Sequence, residues 1–174
     1  MKTSMKRIII LFLVCGLMCI GSLKVQAASS SQKQTGEVTR IEWLKALTET
    51  FEMTVEEDNY PDNYYSDIDS SSEDYYDVML ATEFGLVDVE AGDPLKPDEP
   101  ATREFVAHTL NLCMGYQLEN DTYSFSEATS VTYPQDIQIA IDKGWLELVD
   151  GNFLPEQGIT GVEKTKMINA AKAA

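Results

Sequence analysis

Two segments of this sequence, Thr39-Arg40-Ile41-Glu42 and Thr102-Arg103-Glu104-Phe105, place an arginine directly after a threonine, and a third reads Thr160-Gly161-Val162-Glu163. In the first and third, a threonine at N-cap accepts a hydrogen bond from the N3 amide, and the glutamate at N3 reaches back to the N-cap amide. Glu104 stands at N2 and favours the helix dipole without that reciprocal bond. Thr39, Glu42, Thr102, Thr160 and Glu163 are therefore helix-cap residues, with each cap contributing about 1 kcal/mol. The arginines have no such explanation, because a cation at N1 faces the positive end of the dipole, at a cost of roughly a few tenths of a kcal/mol. What N1 offers is an exposed guanidinium beside free backbone N–H groups, a seat for a carboxylate or phosphate. A second reading stays open, in which each arginine pairs with one of the many neighbouring acids.

Other chemistry has little to work with. His108 is the only histidine, and Cys113 is the only cysteine beyond residue 19. A zinc site or a histidine-based triad therefore has almost no residues to be built from. Cys113 lies on an apolar face beside Leu110 and Leu112 and reads as a small core residue. Carboxylates are abundant, but abundance names no catalytic pair, so the expectation is a non-enzyme without cofactor or metal. Asp67-Ile68-Asp69-Ser70-Ser71 opens like a calcium loop. However, Ser72 stands where that loop needs glycine and Val78 where it needs glutamate. A solvated acidic stretch from Glu56 to Asp77 is the plainer reading.

The first residues read as an export signal. Lys2, Lys6 and Arg7 precede an apolar run from Ile8 to Ile20, and Val25-Gln26-Ala27 supplies a cleavage site, giving a signal peptide over 1–27. That apolar run is too short to span a bilayer. Residues 28–36 form a flexible lead-in. Four of the 13 bases lie in the signal and all 29 acids lie beyond it, so cleavage moves the net charge from −16 to −20. A surface of that sign repels nucleic acid and anionic membranes, which are excluded as partners.

The elements that must position the arginines recur along the chain. Tyr65-Ser66-Asp67-Ile68 corresponds to Phe125-Ser126-Glu127-Ala128. Asp77-Val78, Ala81 and Gly85 correspond to Asp136-Ile137, Ala140 and Gly144, while Leu95, Pro97 and Thr102 correspond to Phe153, Pro155 and Thr160. The expected organisation over 37–174 is a partial repeat 37–55 and two repeats, 64–117 and 124–174. Each repeat is a helix, a loop and a second helix. The first helix, about 73–84 or 133–143, ends at Gly85 or Gly144 in the left-handed conformation. Leu95 or Phe153 in the loop plugs the core, and the second helix starts at the threonine. Ile41, Leu44, Leu47 and Phe51 form one buried stripe; Val106, Leu110 and Cys113 form another, widened by Phe105 and Leu112; Met167, Ile168 and Ala171 form a weaker third. Trp43 and Trp145 are expected in the core. A short strand at Leu146–Val149 is the one β element considered, in an otherwise mostly α fold.

The pattern Ser66-Asp67-Ile68, Tyr75-Tyr76, Ala81, Gly85-Leu86-Val87, Leu95-Lys96-Pro97 and Ala101-Thr102-Arg103-Glu104-Phe105 resembles the S-layer homology family. Its repeats carry a Phe-Ser-Asp-Val opening, a Gly-Thr-Phe-x-Pro loop and an Ile-Thr-Arg-Ala-Glu helix start. The resemblance implies a pseudo-threefold helical bundle at the bacterial cell wall or cell surface. It implies binding to secondary cell-wall polysaccharide, with the motif arginine, here Arg40 and Arg103, recognising a negatively charged pyruvyl ketal. Tyr75, Tyr76 and Tyr133 stand where the family places a tryptophan and are candidates to stack on the sugar. Gly161 replaces the arginine in the third copy. The alternative is that the repeats act as a structural or protein–protein interaction module, with another exported protein as partner.

Overall fold

The computed structural model describes residues 36–56 and 60–173. The signal peptide and nearly all of the lead-in lie outside the described residues. Five helices follow in chain order: α1 (Arg40–Thr50), α2 (Tyr75–Glu83), α3 (Arg103–Met114), α4 (Pro134–Asp142) and α5 (Gly161–Lys172). Among the described residues there is no strand, only four isolated bridges, so the mostly α expectation holds. Leu146–Val149 does not form a strand. Val149 and Asn152 instead exchange backbone hydrogen bonds across Asp150-Gly151 in a tight turn. No described helix is long and apolar enough to cross a membrane.

The three threonines start helices as their capping chemistry requires. Thr39 and Thr160 form complete capping boxes with Glu42 and Glu163, and Thr102 Oγ1 accepts from the Phe105 amide. Gly85 and Gly144, which follow α2 and α4, adopt φ of 71° and 67°, a conformation that costs a glycine nothing. Trp43, Leu44, Leu47, Val106, Leu110, Ile137, Trp145, Phe153, Ile159 and Met167 pack into one core, and Leu95 is buried in a second cluster with Ile41, Tyr65 and Val78. Leu112 departs from expectation. It is 46% exposed, because it sits on the outer face of α3 rather than beside Val106 and Leu110.

The residues just before the three threonines tie the helix starts together. The Val38 amide donates to Ile159 O (2.9 Å), the Ile159 amide to Ala101 O (2.9 Å) and the Ala101 amide to Val38 O (2.8 Å), closing a ring. All three residues are buried, so each bond satisfies groups that water cannot reach. The close approach needs a glycine nearby: a Cβ at Gly158 would lie 3.0 Å from the Cβ of Pro100.

A carboxylate organises each loop. Asp67 accepts from the amides of Leu95 (2.8 Å) and Lys96 (2.7 Å), and Glu127 from those of Phe153 (3.0 Å) and Leu154 (3.1 Å). Lys96 and Leu154 are both left-handed, with φ of 61° and 57°, a cost for side chains that the paired acceptors offset. The signature aspartate and its glutamate counterpart are thus loop clamps. Asp67 spends both oxygens on backbone, and Asp69 accepts from the amide and hydroxyl of Ser71.

Candidate functional site

The two arginines occupy equivalent places and have different surroundings. Each reaches for the carbonyl of the loop residue that plugs the core. Arg40 Nη1 donates to Leu95 O at 3.2 Å, and Arg103 Nε donates to Phe153 O at 2.6 Å. There the likeness ends.

Arg103 is 2% exposed. Its Nη1 pairs with Glu163 Oε1 at 3.1 Å, its Nη2 donates to Glu147 O, and its guanidinium lies over the Phe153 ring at 4.9 Å. Burial lowers its pKa from the usual arginine value, while Glu163 acts to raise it. The exposed guanidinium expected here is not found. The open alternative, pairing with a neighbouring acid, describes this residue. Glu163 does two jobs, since Oε2 closes the capping box on Thr160 while Oε1 holds Arg103.

Arg40 is half-buried and meets Phe105 where Arg103 meets Glu163, its guanidinium 5.1 Å from the ring centre. Its Nε is buried and has no hydrogen-bond partner, and among the described residues no carboxylate pairs with it. A buried donor without an acceptor calls for an explanation. Arg40 also lines a cleft of about 290 Å³, formed with Leu86, Val87, Asp88, Leu95, Glu104, Phe105, His108, Tyr133 and Glu156.

The backbone part of the expected anion seat is absent at both starts. The Arg40 and Ile41 amides donate to Glu99 O and Pro97 O, and the Arg103 and Glu104 amides donate to Gln157 O and Pro155 O. The proline-bearing loops that precede α3 and α5 dock on the starts of α1 and α3 and take their free N–H groups. Any anion at these positions meets side chains and not the helix-start amides.

Tyr133 shares the Arg40 cleft, where it stacks on His108 at 3.6 Å between ring centres and 10° between planes. Tyr75 and Tyr76 do not. Tyr75 is buried and its hydroxyl donates to Pro61 O, while Tyr76 is 41% exposed against Tyr60, away from both arginines. Trp43 and Trp145 are core residues, with Trp43 Nε1 donating to Thr109 Oγ1 at 2.7 Å. Cys113 is half-buried and burial pushes its thiol up to about 12, so it stays protonated and inert.

His108 and Glu104 also line the Arg40 cleft, a place that neither residue's position in the sequence suggests. His108 Nδ1 meets Asp136 Oδ2 at 2.6 Å, and the other Asp136 oxygen accepts from Asn111 Nδ2 at 2.7 Å. Glu104 caps a neighbour instead of its own helix. Its Oε1 accepts from the amides of Thr132 (2.6 Å) and Tyr133 (2.9 Å), where α4 begins. Burial and then the charges of Asp88, Glu104 and Asp136 raise the pKa of Tyr133, so its phenol stays neutral. The only early signal for His108 was its place one turn beyond Glu104 on α3.

A larger recess of about 420 Å³, lined by Tyr116, Glu119, Asp142 and Lys143, lies away from both arginines. The Lys143 ammonium sits 3.7 Å from the Tyr116 ring centre and covers that aromatic face. The Arg40 cleft is therefore the better candidate: it holds an arginine that no carboxylate pairs with among the described residues, beside aromatic and aliphatic walls.

Residues 64–104 match the family model of the S-layer homology domain. The match runs from Tyr64 through the loop clamp Asp67 to the start of α3, and it bears out over that span the resemblance read from the sequence. No curated protein matches the chain. S-layer homology domains are binding modules that generally mediate attachment to the bacterial cell wall.

Proposed function

We propose that this protein attaches to bacterial cell-wall polysaccharide through one competent cleft, in which Arg40 receives an acidic, pyruvyl-type substituent of the glycan. The observation that carries this reading is a half-buried Arg40 guanidinium at the cleft that spends Nη1 on Leu95 O and, among the described residues, meets no carboxylate. Leu86, Val87, Phe105 and Tyr133 offer apolar contact to a sugar face, and Asp88 and Glu156 offer acceptors to its hydroxyls. A saccharide with a single acid group suits this mixture better than a polyanion would. Arg103 has a structural role in this reading, and Gly161 brings no charge to the third start.

The ring joining Val38, Ala101 and Ile159 supports a pseudo-threefold arrangement of the three helix starts. One cleft in three is the expected yield of that arrangement here. Cosedimentation of the purified protein with isolated cell walls tests the proposal. Arg40→Ala abolishes sedimentation, chemical removal of pyruvyl groups does the same, and added salt weakens it. Undiminished sedimentation of R40A would sink the reading.

A second reading has an observation of its own. Two of the three helix starts hold no cation that a ligand can reach, and Val162 beside Gly161 is 80% exposed. An interaction module for another exported protein fits that surface. Under this reading the protein is retained at the cell surface after pyruvyl groups are stripped, and Val162→Asp releases it.

A further inference from the structure

The Arg40 cleft has an acidic bias that a single arginine does not balance. Asp88, Glu104 and Glu156 line it together with Arg40. Glu104 is partly satisfied by two amide donors, but its charge remains. An anion entering the cleft meets attraction from one side and repulsion from several. His108, from α3, lines the same cleft and is the one side chain there whose ordinary chemistry adds a positive charge near neutral pH.

The surroundings of His108 fix which ring nitrogen a ligand can use. Nδ1 is held by the Asp136 carboxylate of α4, and Asn111 holds that carboxylate in place. Because a carboxylate only accepts, Nδ1 carries the proton, which leaves Nε2 as the nitrogen of this cleft-lining ring that a ligand can use. In the neutral ring Nε2 is an acceptor and repels an anionic oxygen. In the imidazolium it is a donor and attracts one. Tyr133, stacked on the ring, fixes its plane, so the change is one of charge at a set position.

We propose that His108 is the second cation of this cleft and makes its anion binding pH-dependent, with mildly acidic conditions strengthening attachment to an acidic glycan. This rests on the reading of the Arg40 cleft as the glycan site. The charged groups facing His108 act in opposite directions. Asp136 from α4, Glu104 one turn away on α3, and Asp88 and Glu156 from the loops bring negative charge to this region, whereas Arg40 from α1 brings positive charge. An anion bound in this cleft interacts more favourably with the imidazolium than with the neutral ring, so binding and proton uptake reinforce each other.

The probe is a hexoside bearing a pyruvyl ketal, with the ketal-free hexoside as control, measured by calorimetry on the full protein at about pH 8 and about pH 5.5. Roughly tenfold tighter binding of the ketal is expected at the lower pH. His108→Gln keeps a neutral hydrogen-bonding side chain and loses the difference between the two pH values, whatever its absolute affinity. Equal affinity of the wild type at both, or an undiminished difference in H108Q, overturns the inference and leaves the Arg40 reading standing. Ketal binding that survives Arg40→Ala unchanged overturns the Arg40 reading instead.

Discussion

Arg40 and Arg103 begin equivalent helices, follow equivalent threonines and reach equivalent carbonyls, yet one is built into the fold and the other faces a cleft. The difference traces to one position. Where Phe105 lies beside Arg40, Glu163 lies beside Arg103 and supplies the carboxylate that an external ligand would otherwise bring. Glu147 completes the capture with its backbone oxygen. An arginine with three acceptors and a ring beneath it has little left to offer a glycan. The same motif thus yields a structural tie in one repeat and a candidate binding group in another, and the residue at N3 of the following helix decides which.

The largest effect expected from breaking this comparison is on stability. Arg103→Ala strands the carbonyls of Phe153 and Glu147 and leaves Glu163 without its partner, so it should cost about 3 kcal/mol in chemical denaturation. Arg40→Ala removes one hydrogen bond and a ring contact and should cost about 1 kcal/mol or less in the same measurement. Equal losses for the two would erase the distinction.

Next comes conversion of the open site into the closed one. Phe105→Glu places a carboxylate at N3 of α3, where it can box Thr102 and pair with Arg40 as Glu163 does with Thr160 and Arg103. Wall cosedimentation should fall by roughly tenfold or more while the helical circular dichroism is retained. Unaltered binding would mean that Arg40 is not the contact.

Smaller effects concern the caps and clamps. Thr160→Ala removes the acceptor for the Glu163 amide and should lower stability by about 1 kcal/mol. It should also loosen Glu163 and so add to the effect of Arg103→Ala less than additively in a double-mutant cycle. The smallest expected change is the acid dependence of Glu127. Burial pushes its carboxyl up, but the amides of Leu154 and Phe153 and the Ser126 hydroxyl outweigh it and hold the pKa below the usual value. A carboxyl lowered on folding contributes stability above its unfolded pKa and loses it as pH falls through the folded one. The melting temperature of Glu127→Gln should therefore match wild type more closely in acid than at neutral pH.

Much of the fold could be read from local chemistry. Thr39, Thr102 and Thr160 cap helices because a hydroxyl can satisfy an N-terminal amide within three residues. Gly85 and Gly144 end helices because only glycine enters the left-handed region without cost. Leu95 and Phe153 are apolar residues in polar loops and so were expected in the core. The helix stripes followed from spacing, and Leu112 broke ranks because its position on α3 turns outward. Glu104 could not be read locally, since its partners lie at Thr132 and Tyr133, on the far side of a loop.

The sequence by itself determined the helix starts at Thr39, Thr102 and Thr160, the helix ends near Gly85 and Gly144, and the S-layer homology character of residues 64–104. Each depends on interactions within a few residues or on a pattern carried by the chain. Only the tertiary structure decided the fates of Arg40 and Arg103. A guanidinium is long enough to reach across repeats, and whether it meets Glu163 or Phe105 depends on how distant segments pack. The same packing fills the helix-start amides with loop carbonyls and brings His108, Tyr133 and Arg40 to one cleft. No spacing along the chain encodes those contacts, because they exist only once the repeats have closed on one another.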